Sequence, residues 1–271
     1  MTDSGKKVGF IGAGVMGSIL AGVASGTGCR LLVSDRDLKK AEDLALRAGG
    51  ITAGNAEIAA GCRYIFLAVK PQVIDCVLSE ISGILSERED RFTVVSMAAG
   101  VSIGHIVSLL GENTPIIRIM PNTPAGVREG MILYCSSNTN VADVDGFREI
   151  LSSAGRLDCV PEGLIDAGSA LSGCGPAFVY MFIEALADGA VCCGLPRDKA
   201  LLYAAQTVKG AAATVLETSE HPGKLKDDVC SPGGTTIEGV RALEGGAFRS
   251  SVMNAVVSSY EKTLSLRGEK K

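Results

Sequence analysis

The sequence predicts an α/β domain with a doubly wound, mainly parallel sheet, followed by an all-helical C-terminal domain. Short apolar segments alternate with amphipathic segments up to about residue 161, as a series of right-handed β–α–β crossovers requires. A glycine-rich turn follows the first apolar segment, and long helical patterns without a convincing strand follow Pro161. We therefore expect two domains, residues 1–161 and 162–271.

The predicted elements follow one another in a regular order. Residues 64–69 form a continuous apolar run, which is typical of a central parallel strand covered on both faces. The other predicted strands span residues 7–11, 30–34, 92–96, 116–120, 131–135 and 158–160. Helices are predicted from the glycine turn to residue 25 and at 38–47, 73–85, 103–110 and 141–153. The second domain has helical patterns at 165–193, 197–218 and 235–266.

Composition excludes several classes of protein. A formal net charge of −4 provides no basic field for nucleic acid. No apolar run reaches the roughly 20 residues of a membrane span, because Glu184 and Asp188 interrupt the best candidate, 177–195. The N-terminus also lacks the apolar stretch of a signal peptide. We therefore expect a cytoplasmic protein that binds neither nucleic acid nor membranes.

The cysteines do not form a recognisable metal site. Nine of them are scattered along the chain without a Cys-x-x-Cys pair, and only His105 and His221 are available to complete a ligand set. We expect no metal, and we interpret most of the thiols as small buried apolar groups in a reducing compartment.

The glycine turn carries the clearest functional signal. The segment Gly12-Ala13-Gly14-Val15-Met16-Gly17 lies between a predicted strand and a predicted helix, which is the context of a dinucleotide-binding Rossmann-type domain. Gly12 would allow the tight turn, Gly14 the approach of a pyrophosphate, and Gly17 close helix–strand packing. Backbone amides and the helix dipole would attract the phosphates.

The sequence leaves the choice of nucleotide open. Asp35 follows the second predicted strand, where a carboxylate would accept a hydrogen bond from the 2′-hydroxyl of NAD. The alternative is that Asp35 caps the next helix. The adjacent Arg36 would instead bind the 2′-phosphate of NADP. Asn55, in a predicted loop, would reach the adenosine side. Lys70 is either a cofactor contact or a solvated loop lysine.

Ligands of open parallel sheets bind beyond the carboxyl ends of the strands. The segments Ala68–Pro71, Ser96–Gly100 and Met120–Pro124 occupy such ends. Small residues at 98–100 would let a nicotinamide lie close to the backbone.

A second candidate site lies in the helical part. The segment Ser231-Pro232-Gly233-Gly234-Thr235-Thr236 exposes several backbone amides and hydroxyls at a predicted helix start. Such a helix start suits an anion, in particular a carboxylate. The alternative is an ordinary loop in which a threonine caps the helix. A second unusual segment, Leu171–Phe178, is either functional or a kink where helices cross.

The run from Leu225 to Glu244 resembles the signature of the pyrroline-5-carboxylate reductase family. The resemblance extends over Val8–Gly14, Ala68–Pro71, Met120–Gly130, Leu171–Pro176 and Gly246–Ser250. It implies reduction of the cyclic imine of L-1-pyrroline-5-carboxylate to L-proline, the last step of proline biosynthesis, with NADPH or NADH as hydride donor. It also implies dimerisation through the helical domain and assembly into larger rings, such as a decamer.

The resemblance implies roles for individual residues. Thr235 and Thr236 would hold the substrate carboxylate, and Glu162 would lie at the substrate pocket. Thr236 would also lie near the ring nitrogen, and it is our candidate for the proton relay. The residues expected around the cofactor are Ile11, Gly12, Ala13, Gly14, Val15, Met16, Asp35, Arg36, Asn55, Ala68, Val69, Lys70, Pro71, Met97, Ala98 and Ala99. Two positions depart from the family pattern, with Cys174 in place of a common Ser and Asp228 in place of a common Asn.

Two other functions compete with this interpretation. A β-hydroxyacid dehydrogenase shares the domain order but needs a basic lysine on the first long helix of the second domain. No lysine lies between Arg156 and Arg197, which weighs against that chemistry. A non-catalytic NAD(P)-binding regulator would keep the glycine turn but would have no need for the segment from Ser231 to Thr236.

Overall fold

The computed structural model describes residues 6–266, and these contain one eight-stranded sheet with the strand order β3-β2-β1-β4-β5-β6-β7-β8. The strands are β1 (Lys7–Ile11), β2 (Arg30–Ser34), β3 (Ile51–Thr52), β4 (Tyr64–Leu67), β5 (Thr93–Ser96), β6 (Ile116–Met120), β7 (Gly130–Ser137) and β8 (Gly155–Cys159). Strand β7 runs antiparallel to β6, and every other neighbouring pair is parallel. The predicted doubly wound, mainly parallel sheet is confirmed.

Seven helices accompany the sheet. They are α1 (Val15–Ser25), α2 (Leu38–Ala48), α3 (Asn55–Gly61), α4 (Ile74–Ser86), α5 (Ile103–Leu110), α6 (Val141–Ile150) and α7 (Glu162–Ser172). Alternate strand residues face two separate apolar cores. One core joins the sheet to α1, α2 and α6 and contains the stacked rings of Phe10 and Phe66, 4.6 Å apart. The other contains Ile11 and Ile65 with residues of α3, α4, α5 and α7. Both sheet faces are therefore buried, which explains the continuous apolar runs.

The strand order reverses beside β1. The chain passes from β1 outward to β2 and β3, then returns to the other side of β1 with β4. In open parallel sheets this reversal leaves a crevice outside the carboxyl ends of the two strands. The glycine turn follows β1, and Ala68 follows β4, so both face this crevice.

Several element bounds differ from the sequence prediction. Strand β3 and helix α3 were predicted as loop, and Asn55 is the first residue of α3 rather than a loop residue. The turn-forming pair Gly54-Asn55 hides the start of this seven-residue helix in the sequence. Helix α6 ends at Ile150 and strand β8 begins at Gly155, so both shift from their predicted positions.

Beyond α7 the described residues form only helices. These are α8 (Gly175–Cys192), α9 (Arg197–Thr218), α10 (Pro222–Asp228), α11 (Thr235–Gly245) and α12 (Phe248–Leu266). Helix α9 has its predicted bounds, and α10 was not predicted. The single helix predicted over 165–193 is two helices separated at Gly173 and Cys174, within the unusual segment Leu171–Phe178.

The chain divides into two compact units, residues 6–174 with 259–266 and residues 175–258. Helix α7 belongs to the first unit because Ile165 is fully buried in the second of the two sheet cores. The domain boundary after Pro161 stays a prediction. In the second unit the buried apolar side chains among the described residues are Ala187, Ala200 and Ala204.

One segment, Glu162–Cys192, is long and apolar enough to span a membrane by length and composition, with a mean hydropathy of 1.4. In the structure the break at Gly173 and Cys174 divides it into α7 and α8. Helix α7 packs on the sheet, as Ile165 shows. A single segment of this kind is weak evidence for a membrane span.

Candidate active site

The glycine turn has the geometry of a pyrophosphate cradle. Gly12 has a φ of +111°, and a Cβ atom there would lie 2.5 Å from the carbonyl oxygen of Ala68. A Cβ on Gly17 would lie 2.2 Å from the carbonyl oxygen of Gly12. A Cβ on Gly14, in contrast, would meet nothing within 4 Å. Gly12 and Gly17 are therefore required for packing, whereas Gly14 leaves open the space through which a ligand would approach the backbone.

Helix α1 begins directly after Gly14, so its first amides lie next to this open space. Gly14 is the N-cap residue, in an extended conformation, and no side chain caps the helix within the described chain. The first turn of a helix leaves amides without acceptors and carries the positive end of the dipole. A diphosphate therefore fits this helix start, because it supplies the missing acceptors and the complementary charge.

Asp35 holds the cradle in place. Its Oδ2 atom accepts a hydrogen bond from the Ala13 amide at 2.7 Å, and its Oδ1 atom accepts from the Asp37 amide at 2.8 Å. Asp37 rather than Asp35 is the N-cap residue of α2. Asp35 is half-buried and joins the end of β2 to the glycine turn, a role that the sequence alone does not reveal.

Arg36 and Lys70 provide two cations near the same edge of the sheet. Both side chains are exposed, and neither forms an ion pair or side-chain hydrogen bond within residues 6–266. Asn55 is fixed instead, since its Oδ1 atom accepts from the Ser34 hydroxyl at 2.6 Å and its amide donates to Glu80 at 2.8 Å. Two cations without acidic partners suit a ligand that carries several negative charges.

Backbone hydrogen bonds hold the predicted cofactor segments next to one another. The Gly12 amide donates to the carbonyl oxygen of Ser34 at 2.7 Å, and the Ala68 amide donates to the carbonyl oxygen of Ile11 at 2.8 Å. The Met97 amide donates to Leu67 at 3.3 Å. The residues that follow β2, β1, β4 and β5 therefore form a continuous edge. Along this edge the glycine turn precedes α1, and the small residues predicted to lie against a nicotinamide, Ala98 and Ala99, lie two strands away, after β5.

The half-buried Glu162 belongs to a charge cluster around the buried Arg118, which sequence analysis missed. Arg118 lies in the middle of β6 and is fully buried, and its guanidinium donates to Glu162 at 3.2 Å and to Asp166 at 2.6 Å. Glu162 also accepts the amide of Ile103 at 2.7 Å. The signal was present in the sequence as a lone arginine within the apolar run Ile116–Met120.

The segment predicted to bind a carboxylate lies in the second unit. Gly233 has a φ of +67°, and Gly234 is the N-cap residue of the 11-residue helix α11. No side chain among the described residues caps this helix. Thr235 and Thr236 are its first two residues, and both are exposed. The alternative of a threonine cap is therefore wrong, because Gly234 takes that position and leaves the hydroxyls and first amides open.

Asp228 and Cys174, the two residues that depart from the family pattern, lie at or just after the end of a helix. Asp228 ends α10, and its carboxylate accepts a hydrogen bond from Lys224 one turn earlier at 2.9 Å. Cys174 follows α7 and is half-buried.

The cysteines are all free thiols, and the described residues contain no group of His, Cys, Asp and Glu arranged to hold a metal. Burial raises the pKa of Cys62 and of Cys135 to about 11. Both therefore remain protonated at neutral pH and are poor nucleophiles.

Comparisons with known proteins agree with this geometry. Residues 162–266 match the family model described as pyrroline-5-carboxylate reductase dimerisation, and residues 7–100 match the model described as NADP oxidoreductase coenzyme F420-dependent. A pyrroline-5-carboxylate reductase of Escherichia coli is 43% identical, with 95% of this chain and 97% of the relative covered. Pyrroline-5-carboxylate reductase 3 of Danio rerio is 41% identical, covering 98% and 93%.

The chain is also similar to a solved structure over nearly its whole length. The crystal structure of pyrroline carboxylate reductase from Plasmodium falciparum, with NADP bound, superposes with a TM-score of 0.85 at 34% identity. The match covers 98% of this chain and 100% of the other.

Proposed function

The chain belongs to the pyrroline-5-carboxylate reductase family, and we propose that the cofactor binds at the sheet-edge cradle and the substrate carboxylate at the start of α11. The enzyme reduces L-1-pyrroline-5-carboxylate to L-proline, and NADPH is its hydride donor. The observation that carries the site assignment is that α1 and α11 both begin after a glycine turn, with a positive-φ glycine (Gly12, Gly233) before a glycine N-cap (Gly14, Gly234) and no side-chain cap. Each offers amides to an anion, and the reaction needs one anion site for the diphosphate and one for the substrate carboxylate.

The cofactor site is assigned to residues at the carboxyl edge of the sheet. The amides of Gly14, Val15 and Met16 bind the diphosphate, while Gly12, Gly17 and the Ala13–Asp35 hydrogen bond keep the turn in shape. Ile11 ends the strand before the turn. The segments Ala68–Pro71 and Met97–Ala99 receive the nicotinamide half, since they follow the two neighbouring strands. Arg36 binds the 2′-phosphate and Asn55 lies on the adenosine side. NADH is the alternative donor.

The substrate site is assigned to the segment from Ser231 to Thr236. The positive φ of Gly233 and the extended Gly234 turn the chain into α11, so that the amides of Thr235 and Thr236 are open to the carboxylate. The hydroxyls of both threonines add two donors. Glu162 lies at the pocket, where its carboxylate favours a cationic substrate ring.

The chemistry follows from the imine. Protonation of the ring nitrogen gives an iminium ion, whose carbon is a much better hydride acceptor. When bound, NADPH supplies the hydride to that carbon. The C=N electron pair then moves to nitrogen, so that L-proline and NADP⁺ are the products. We assign to Thr236, or to a water that it holds, the transfer of the proton at the ring nitrogen.

The second unit supports assembly of several copies. Many of its large apolar side chains are exposed, including Tyr180 (60%), Met181 (70%) and Met253 (62%), whereas its buried ones are three alanines. Such apolar exposure is typical of a protein interface. The enzyme is a homo-oligomer, and we propose a dimer through this unit and a decamer built from such dimers. We also propose that it acts in the cytoplasm, where its nine free cysteines stay reduced.

The experiment that tests the site assignment compares Thr236→Ala with Thr236→Ser. Loss of the hydroxyl should lower kcat by about 100-fold, as expected for a lost proton relay, while Thr236→Ser retains most activity. NADPH affinity should change less than about threefold in both variants, because the cofactor contacts lie on the sheet. Equal losses of turnover and NADPH affinity in Thr236→Ala would show that Thr236 does not have this role.

A further inference from the structure

Arg118, whose side chain is fully buried, is connected to both ends of residues 97–102, the loop that contains the predicted nicotinamide contacts. We call this segment the nicotinamide loop. In the sheet, Arg118 of β6 pairs with Ser96, the last residue of β5. The loop begins immediately after Ser96 and leads to Ile103, the first residue of α5. The backbone of Arg118 therefore fixes the point where the loop begins.

The side chain of Arg118 reaches the other end of the same loop. Its Nη1 atom donates to Glu162 Oε1 at 3.2 Å, and the same oxygen accepts the amide of Ile103 at 2.7 Å. That amide is one of the first amides of α5, which have no acceptor inside their own helix. The carboxylate satisfies the amide and also meets the positive end of the helix dipole. Arg118 thus fixes where the loop ends, through Glu162.

Asp166 completes the arrangement. It lies one helical turn after Glu162 on α7, so both carboxylates face the same guanidinium. The Nη2 atom of Arg118 donates to Asp166 at 2.6 Å, and this carboxylate is itself buried. A fixed guanidinium with two separate acceptors has little freedom to move, and a lysine cannot reproduce its geometry because it carries a single ammonium group.

We propose that Arg118 is a positioning residue for hydride transfer, because it holds both ends of the loop that carries Met97, Ala98 and Ala99. The proposal rests on the proposed function, which places the nicotinamide against this loop. If Arg118 is replaced, its backbone pairing with Ser96 remains, but the loop loses the side-chain contacts that fix its Ile103 end. A displacement of the reacting atoms of about 1 Å is enough to slow a reaction by about 100-fold.

The test uses the full-length oligomer with the variants Arg118→Lys and Glu162→Gln. Arg63→Met is the control, since it also removes a charged partner from a buried carboxylate, Asp143, but at the amino end of β4, whereas the loop follows the carboxyl end of the neighbouring strand β5. Three quantities are measured with saturating substrate: kcat, the isotope effect with NADPH deuterated at the transferred position, and hydrogen exchange of the peptide that contains Ile103. The exchange measurement does not depend on activity.

Arg118→Lys should lower kcat by about 10- to 100-fold and raise the isotope effect, because hydride transfer becomes rate-limiting. It should also speed exchange at the Ile103 amide. Arg63→Met should leave all three near the wild-type values in the folded protein. If Arg118→Lys does not fold, Glu162→Gln decides: it keeps the Arg118–Asp166 pair and should show the same three changes in weaker form.

Unchanged exchange at Ile103 and an unchanged isotope effect in the folded variants would overturn the proposal, as would changes equal to those of Arg63→Met. A titration of pyrroline-5-carboxylate completes the test: if Glu162→Gln raises only the KM for this substrate, the proposal is overturned, because Glu162 then only contacts the substrate. These outcomes differ from failure of the proposed function, in which the wild-type enzyme itself would not reduce the imine.

Discussion

The glycine turn allows a test that separates folding from cofactor binding, with Gly12→Ala and Gly14→Ala as a matched pair. Both variants add one methyl group within the same turn. At Gly12 the new Cβ would lie 2.5 Å from the Ala68 carbonyl oxygen, and the backbone φ of +111° is unfavourable for alanine. At Gly14 the Cβ meets nothing within 4 Å, and the φ of −69° suits any residue.

The expected effects on stability follow from these distances. Backbone strain at Gly12 costs about 1–3 kcal/mol, and displacement of the packed Ala68 carbonyl adds a similar amount. Because domains have a net stability of about 5–15 kcal/mol, Gly12→Ala should lower the unfolding temperature by many degrees. For Gly14→Ala the loss of a good N-cap residue and the gain in chain entropy nearly cancel, so stability should change by less than about 1 kcal/mol.

The expected effects on binding are the reverse. In Gly14→Ala the methyl group occupies the space through which the pyrophosphate approaches the amides of α1, so NADPH affinity should fall at least about tenfold without a loss of stability. Thermal unfolding at a fixed protein concentration and NADPH fluorescence titration measure the two quantities. Wild-type NADPH affinity in Gly14→Ala would refute the assignment of this turn as the pyrophosphate cradle.

Three further predictions test other parts of the molecule. Arg36→Ala should raise the KM for NADPH about tenfold and leave the KM for NADH nearly unchanged, and an unchanged ratio in steady-state kinetics would exclude Arg36 as the 2′-phosphate ligand. Burial favours the protonated form of Asp143, but hydrogen bonds from Arg91, the Asn140 amide and Arg63 hold its pKa at about 2. A lowered pKa stabilises the fold above the unfolded value of 3.8, and this stabilisation, about 2 kcal/mol, is lost as the pH falls through 2. Asp143→Asn should therefore flatten the acid limb of the unfolding free energy between about pH 4 and pH 2, and an unaltered limb would contradict the assignment. Met181→Glu should dissociate the oligomer in light-scattering measurements, whereas Leu46→Glu, at an even more exposed position on the sheet unit, should not. Dissociation by both or by neither would contradict the assigned interface.

The sequence predicted much of the fold because its strongest patterns are long or lie between clear breaks. Helix α9 has its predicted bounds because Pro196 and the polar residues after Thr218 delimit a long apolar pattern. Helices α3 and α10, of seven residues each, were missed because glycine, asparagine and proline at their starts are typical of turns. Strand β3 has two residues, which is too short for any periodic pattern.

The candidate site was predictable where backbone conformation depends on residue type. The glycine turn and the segment from Ser231 to Thr236 have recognisable sequences because glycine adopts positive φ angles easily, as at Gly12 and Gly233, and has no side chain to cover the helix start that follows. The roles of Asp35 and Arg118 were not predictable. Each depends on a contact between residues distant in the chain, Asp35 with Ala13 and Arg118 with Glu162, and such contacts exist only once the sheet has formed.

The central claim is that the cradle at Gly12–Gly17 and the start of α11 serve one reaction, the reduction of a carboxylated cyclic imine. The most direct test follows the oxidation of NADPH by the purified oligomer with L-1-pyrroline-5-carboxylate and quantifies L-proline in the same samples. The account predicts one L-proline formed for each NADPH consumed, with faster turnover at limiting NADPH than at limiting NADH. Folded protein that forms no L-proline with either nicotinamide would contradict it.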